Sequence, residues 1–186
     1  VVFSEEIVWD PYFQKDPNYH YEGIIHSLKR AAEHLPRVDA IGGSAAGCYS
    51  KNRVTWASLF RGVPDDVFDA EVRDMFIKIG QEWKVPLDVI NDGEVTALAG
   101  SMALGKNGVL GIAMGTSQGG GYIDPNGNIT TWLSELAFAP VDHHPGAPPD
   151  EWSGDLGCGA QYFSQQAVGR LLPASGIEVE EGLTLP

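Results

Sequence analysis

Apolar residues at Tyr21, Ile24, Ile25, Leu28, Ala31, Ala32 and Leu35 recur at helical spacing and predict a helix over 19–35 with one buried face, ended by Pro36. A second amphipathic pattern, with Val67, Val72, Met75, Phe76, Ile79 and Trp83 inward, predicts a helix over 66–83. Between them, Val38-Asp39-Ala40-Ile41 reads as a short strand running into the small-residue loop Gly42-Gly43-Ser44-Ala45-Ala46-Gly47. Residues 54–60 read as an aromatic-rich loop or strand. A buried strand over 85–90 ends in Asn91-Asp92. The small residues of 93–104 predict a helix suited to close packing on a sheet. Strands over 109–114 and 120–124 flank a glycine turn and predict a hairpin, and Asp124-Pro125-Asn126-Gly127 turns the chain again. The opening Val1-Val2-Phe3 is strand-like, 4–18 and 139–157 read as loop, and a last helix is expected over 159–172. Strands alternating with helices indicate an α/β fold. The polar hinge Gly105-Lys106-Asn107-Gly108 suggests a boundary between domains 1–106 and 107–186.

Composition sharpens this picture. The chain has 186 residues and is 43% hydrophobic, enough for a large domain or two small ones with a real core. Its 12 basic and 25 acidic residues give a net charge of −13. That field opposes binding to nucleic acid or to an anionic membrane, although a local pocket can still take a nucleotide. No apolar run is long enough to span a bilayer. Cys48 and Cys158 form neither metal-type spacing nor a disulfide framework, so a reducing, cytoplasmic setting is expected.

Two features carry candidate chemistry. Asp92 stands at a strand-to-helix junction, where a carboxylate can accept a proton from a substrate hydroxyl, and the Asn91 amide can hold a second hydroxyl. The same pair also suits a plain helix cap. The turn Gly115-Thr116-Ser117-Gln118-Gly119-Gly120-Gly121 offers successive backbone N–H groups and two hydroxyls to an anion, or it is an ordinary glycine hairpin. Trp56, Phe60, Trp83 and Trp132 read as core or substrate-rim aromatics, and Cys48 as a small buried residue.

Taken in order, strand, Asn91-Asp92, small-residue helix, hinge, strand, Gly-Thr turn and Gly-Gly strand resemble the ROK family of repressors and sugar kinases. Residues 40–47 are similar to its small-residue sugar loop. Ser134-Glu135-Leu136 resembles its sugar-binding Glu-Leu segment, and Gly154–Cys158 with Tyr162-Phe163-Ser164 resembles its zinc segment and the helix after it. The resemblance spans about residues 20–172. It implies an actin-like ATPase (ribonuclease H-like) fold, a mixed sheet flanked by helices in two lobes. Residues 1–106 would be the remainder of a sugar-binding lobe and 107–186 part of an ATP-binding lobe. It further implies that Asp92 is the general base, that Asn91, Glu135, Gly43 and Ser44 hold the sugar, and that Gly115, Thr116, Ser117, Gly119 and Gly120 contact ATP phosphates with Mg²⁺.

The chain also departs from the family pattern. Ser117 and Gln118 replace the usual glycine and hydrophobic residue of the phosphate turn. Ala137 and Phe138 replace the glycine and histidine after Glu-Leu. Of the family's cysteines Cys158 remains, with Ser153 where another would stand, and a single thiolate builds no tetrahedral zinc site. His143 and His144 read as exposed loop histidines, and no structural zinc is expected. The N-terminal Asp-x-Gly-Gly-Thr motif and the adenosine segment are missing, so the chain resembles the middle of a kinase-like protein. The expected function is ATP-dependent phosphorylation of a hexose or related sugar, or of a polyol. The alternative is a non-catalytic sugar-binding or regulatory protein of the same fold. A DNA-binding repressor is a third reading, for which the chain carries no basic helix-turn-helix. Expected partners are a small-molecule sugar, a nucleotide and a second copy in a homodimer, with no nucleic acid and no membrane.

Overall fold

In a computed structural model the described residues are 1–115, 117–130, 135–150 and 153–176. They fall into two compact units, Val1–Asn91 and Asp92–Pro186. The division lies at the end of the Asn91 strand rather than at the Gly105–Gly108 hinge, because the helix before that hinge packs on the hairpin after it.

In the first unit, α1 (Pro17–Ala32) starts where Asp16 accepts the Asn18 N–H at 2.9 Å, with Pro17 at the first helical position. It is followed by β1 (Ile41–Ala45), β2 (Cys48–Ser50) and β3 (Arg53–Trp56). The Gly-Gly-Ser-Ala run expected as a loop is therefore itself strand. It pairs in parallel with β4 (Leu87–Asn91), from Ile41 opposite Leu87 to Ala45 opposite Asn91. A Cβ at Gly43 would lie 3.3 Å from Val89 Cγ2, a tight contact with its paired neighbour. β2 and β3 form an antiparallel hairpin across Lys51 and Asn52, both with positive φ (51° and 64°), as a two-residue turn requires. Asn52 also steadies β4, because its Nδ2 donates to the Leu87 carbonyl at 2.6 Å and its Oδ1 accepts the Val89 N–H at 2.9 Å.

The helix expected over 66–83 is broken. A short α2 (Asp65–Val67) runs into a π-turn at Phe68–Val72, and α3 (Met75–Trp83) follows. The interruption has a local cause: the Arg73 carbonyl accepts the Val54 N–H of β3 at 2.9 Å, while the Arg73 N–H reaches back to the Phe68 carbonyl. The inward face is still the one the periodicity gave. Val72, Met75, Phe76 and Ile79 pack with Ile25, Val54, Phe60 and Val89 in one core. The opening Val1-Val2-Phe3 forms no strand. Phe3 stacks on His34 at 3.7 Å between ring centroids, and Glu5 takes both a 2.9 Å and a 3.0 Å hydrogen bond from Arg30.

In the second unit, α4 (Asp92–Leu104) packs on the antiparallel hairpin of β5 (Val109–Met114) and β6 (Gln118–Ile123). The contact is backbone on backbone. A Cβ at Gly121 would sit 2.5 Å from Glu94 Cα, one at Gly111 2.5 Å from Ala97 Cα, and one at Gly93 2.5 Å from the Gly120 carbonyl oxygen. The last helix, α5 (Gln165–Ala174), begins at Ser164, whose hydroxyl accepts the Ala167 N–H. Residues 159–161 form a separate 3₁₀ turn, so the helix is shorter than the 159–172 expected.

Candidate functional site

Ligands of open α/β sheets gather at the carboxyl ends of parallel strands. In the first unit that end is formed by Ser44 and Ala45 of β1 and Asn91 of β4. Asn91 Nδ2 donates to the Gly47 carbonyl at 2.9 Å, tying the end of β4 to the connection between β1 and β2. Gly47 has φ +136°, and a Cβ there would meet the Trp56 carbonyl oxygen at 2.5 Å, so the chain crosses this point only as glycine. Ser44 is exposed and Gly43 half-buried, both within β1 rather than in a loop.

In the second unit, Asp92 is the first residue of α4 and its side chain is exposed. One carboxylate oxygen accepts the N–H of the next residue, Gly93, at 3.0 Å, and the Asp92 carbonyl accepts the Thr96 hydroxyl. A negative group at this end of a helix also meets the positive end of the helix dipole. Glu135, half-buried ahead of a 3₁₀ turn at Leu136–Phe138, has its carboxyl pushed up, first by burial and then by the negative charge of Asp92. Glu135, 43 positions after Asp92 in sequence, thus lies within reach of the Asp92 charge.

The glycine turn is only partly open. The Gly115 N–H donates to the Ser117 carbonyl at 2.9 Å, and the Gly115 carbonyl accepts the Gln165 N–H at the start of α5 at 2.8 Å. A Cβ at Gly115 would meet nothing within 4 Å. A Cβ at Gly119 would be 3.9 Å from an Asp92 carboxylate oxygen. Gly120 lies against Gly93, and the Gln118 side chain reaches toward Gly159. Thr116 and Ser134 lie outside the described residues.

The segment around Cys158 is held by its own chain. Its thiol lies 3.7 Å from the Asp155 carbonyl, the Val141 and Asp142 N–H groups donate to the Gly157 carbonyl, and Asp142 accepts the Tyr162 hydroxyl. His143 and His144 are exposed, and His144 Nδ1 accepts the Gly146 N–H. Among the described residues no three His, Cys, Asp or Glu side chains come together as a metal site, and no helix is long and apolar enough to cross a membrane. Sequence reasoning missed Asn52 and the carboxylate influence on Glu135. A polar residue in a two-residue turn signals its turn but not the strand it will brace, and the approach of Glu135 to Asp92 exists only after folding.

No protein-family model matches the chain, and no curated protein matches it. Solved structures do. One is a ROK family transcriptional regulator, a homologue of the E. coli MLC protein, at TM-score 0.67 and 18% identity, covering 86% of this chain and 39% of that one. Another is a ROK hexokinase from Thermus thermophilus, at TM-score 0.66 and 20% identity over 93% of this chain and 57% of that one. A third is a ROK family glucokinase from Streptomyces griseus in complex with glucose and AMPPNP, at TM-score 0.57 and 25% identity over 83% and 51%. The chain is thus an α/β protein with the fold of ROK proteins, the family its motifs resemble. It spans about two-fifths to three-fifths of the length of these three structures.

Proposed function

We propose that the chain is a sugar-kinase-like protein of ROK type, acting in phosphoryl transfer from ATP to a hydroxyl of a hexose or related sugar. Asp92 is the general base and Glu135 a hydroxyl ligand, and the family resemblance assigns further sugar contacts to Asn91, Gly43 and Ser44. The observation that carries this reading is the carboxylate pair: an exposed Asp92 at a helix start and a half-buried Glu135 whose pKa is raised by burial and by the charge of Asp92. A sugar hydroxyl is a poor nucleophile, and an ionised carboxylate that orients it and takes its proton contributes roughly 10²–10⁴-fold. The neighbouring Glu135 carboxyl offers oxygens that hold another hydroxyl of the substrate. The matched glucokinase is in complex with glucose and AMPPNP, which supports the same ligand classes here.

The phosphates of ATP are assigned to Gly115, Thr116, Ser117, Gly119 and Gly120. The described residues offer magnesium no cage of their own. The ion would come with the phosphates, as is usual for Mg²⁺, and neutralise their charge. A sugar-binding role for the first lobe and an ATP-binding role for the second, the actin-like arrangement and a cytoplasmic setting belong to the same proposal.

A second reading, sugar binding or regulation without turnover, is favoured by the hairpin. Gly93, Gly111 and Gly121 are explained by the approach of α4, and the Gly115 N–H is used inside the turn rather than presented to a phosphate. Calorimetric titration of the chain with a panel of sugars, with and without magnesium-ATP and paired with an ADP-release assay, tests both. Sugar binding with ADP release that falls roughly 10²–10⁴-fold in Asp92→Ala is the expected result for the kinase. Sugar binding without any nucleotide response selects the second reading. Absence of sugar binding removes both and leaves Asn91-Asp92 as a helix start.

A further inference from the structure

Residues 1–16 form no helix or strand, yet they are held along one stripe of α1. His20, Gly23 and Arg30 share a helical face by their spacing, and His34 continues it just past the helix end. Phe3 stacks on His34, Glu5 takes the Arg30 guanidinium at 2.9 Å, Trp9 lies on Gly23, and the Gln14 carbonyl lies 3.4 Å from His20 Nε2. The segment therefore runs antiparallel to α1, away from Tyr21, Ile24, Ile25 and Leu28, which face the core. Gly23 is what seats Trp9, because a Cβ there would lie 2.4 Å from the indole ring. Beyond Trp9 the backbone is pinned again: a Cβ at Gly62 would meet the Gln14 carbonyl oxygen at 2.6 Å.

His20 sits where this segment closes. It is fully buried, with Trp9 edge-on at 6.3 Å and Phe60 at 5.0 Å between ring centroids. Its Nδ1 has no hydrogen-bond partner among the described residues. The neutral ring donates from Nε2 to Gln14 and leaves Nδ1 as a bare lone pair. A second proton would place an N–H there with nothing to accept it. The charge that reaches His20 is that of Asp16, which also accepts the Asn18 N–H. Arg61, next to Phe60, turns its guanidinium to the Tyr12 and Phe13 rings, Tyr19 packs edge-on at 6.0 Å, and Asp10, Lys15 and Glu22 are exposed.

From this geometry we propose that residues 1–16 are a strap whose clasp is Trp9 seated on Gly23 beside a neutral His20, and that protonation of His20 opens the clasp while the rest of the unit stays folded. The opening is local because the far end does not titrate with it: the hydrogen bond from Arg30 holds Glu5 below the ordinary carboxylate range. The open strap takes the His20 proton near 6.5, whereas burial lowers that value in the closed form. Between the two values the open-to-closed ratio rises by up to about tenfold for each unit that pH falls.

The test is fluorine NMR of the fluorotryptophan-labelled chain titrated from about pH 7.5 to about pH 5, with the Trp9 resonance assigned by its loss in Trp9→Phe. That resonance should move to a solvent-exposed position as pH falls, while far-UV circular dichroism and the other indole resonances hold. His20→Phe, which keeps the aromatic packing, and His20→Gln, which keeps a donor for the Gln14 carbonyl, should both fix Trp9 in its buried position throughout. The proposal is overturned by a Trp9 resonance that ignores pH, by a move that coincides with loss of circular dichroism, or by an unchanged titration in either variant. In the unmodified chain alone, a His20 imidazole titration with a midpoint different from that of Trp9 also overturns it.

Discussion

Two buried or half-buried titratable residues give opposite pH signatures. The Glu135 carboxyl is raised by burial and by Asp92, so the folded chain holds this proton to higher pH than the unfolded chain. Stability therefore falls as pH rises from the ordinary carboxylate range through the raised value. Glu135→Gln should melt higher than the unmodified chain at pH 7, and this advantage should disappear near pH 4 in paired thermal melts. His20 has the opposite sign. It is fully buried against Phe60 and Trp9, its Nε2 lies 3.4 Å from the Gln14 carbonyl, and burial lowers its pKa against the weaker pull of Gln14 and Asp16. The unfolded chain takes this proton first, so the contribution of His20 is lost as pH falls below 6.5 toward the lowered value. His20→Phe should flatten that part of the stability profile, read from urea midpoints between pH 5 and 7. Neither signature is visible in the sequence, where Glu135 reads as a motif residue and His20 as one polar position in an amphipathic helix.

At the scale of elements, the glycines divide by what they touch. Gly93→Ala or Gly121→Ala drives a methyl into backbone of the facing element and should cost roughly 1–3 kcal/mol. Gly100→Ala, in the same helix as Gly93, meets only Val109 Cγ1 at 3.6 Å and should stabilise by about 0.5–1 kcal/mol through helix propensity. Urea denaturation of the three variants separates packing from propensity. Asn52→Ala removes its hydrogen bonds to β4 and puts Ala, which tolerates the left-handed region less well than Asn, at φ +64°, and a loss of about 2 kcal/mol is expected. The sequence showed that 93–104 is a helix meant for close packing, because its side chains are small. It also placed β5 at 109–114, where strand residues alternate between exposed and partly covered. It did not show the π-turn at Phe68–Val72, since the inward residues keep their spacing whether or not the backbone between them is continuous.

For the whole molecule, charge sets a simple expectation. With a net charge of −13 the chain should not retard duplex DNA in a gel assay at physiological salt, even though one matched structure is a transcriptional regulator. Retardation would reopen the repressor reading. The sequence by itself determined the α/β class, the succession from the first helix through β4, α4, β5 and β6, the inward faces of the helices and the motif order that resembles ROK proteins. These follow from local periodicity, turn chemistry and chain order, which need no partner from far along the chain. Tertiary structure alone decided that Gly42–Ala45 is a strand and not a loop, because a strand needs a neighbour and β4 supplies it 46 positions later. It decided that Glu135 lies within reach of the Asp92 charge and that the hairpin glycines seat a helix. Each of these depends on which backbone lies within a few ångströms after folding, and no local pattern encodes that distance.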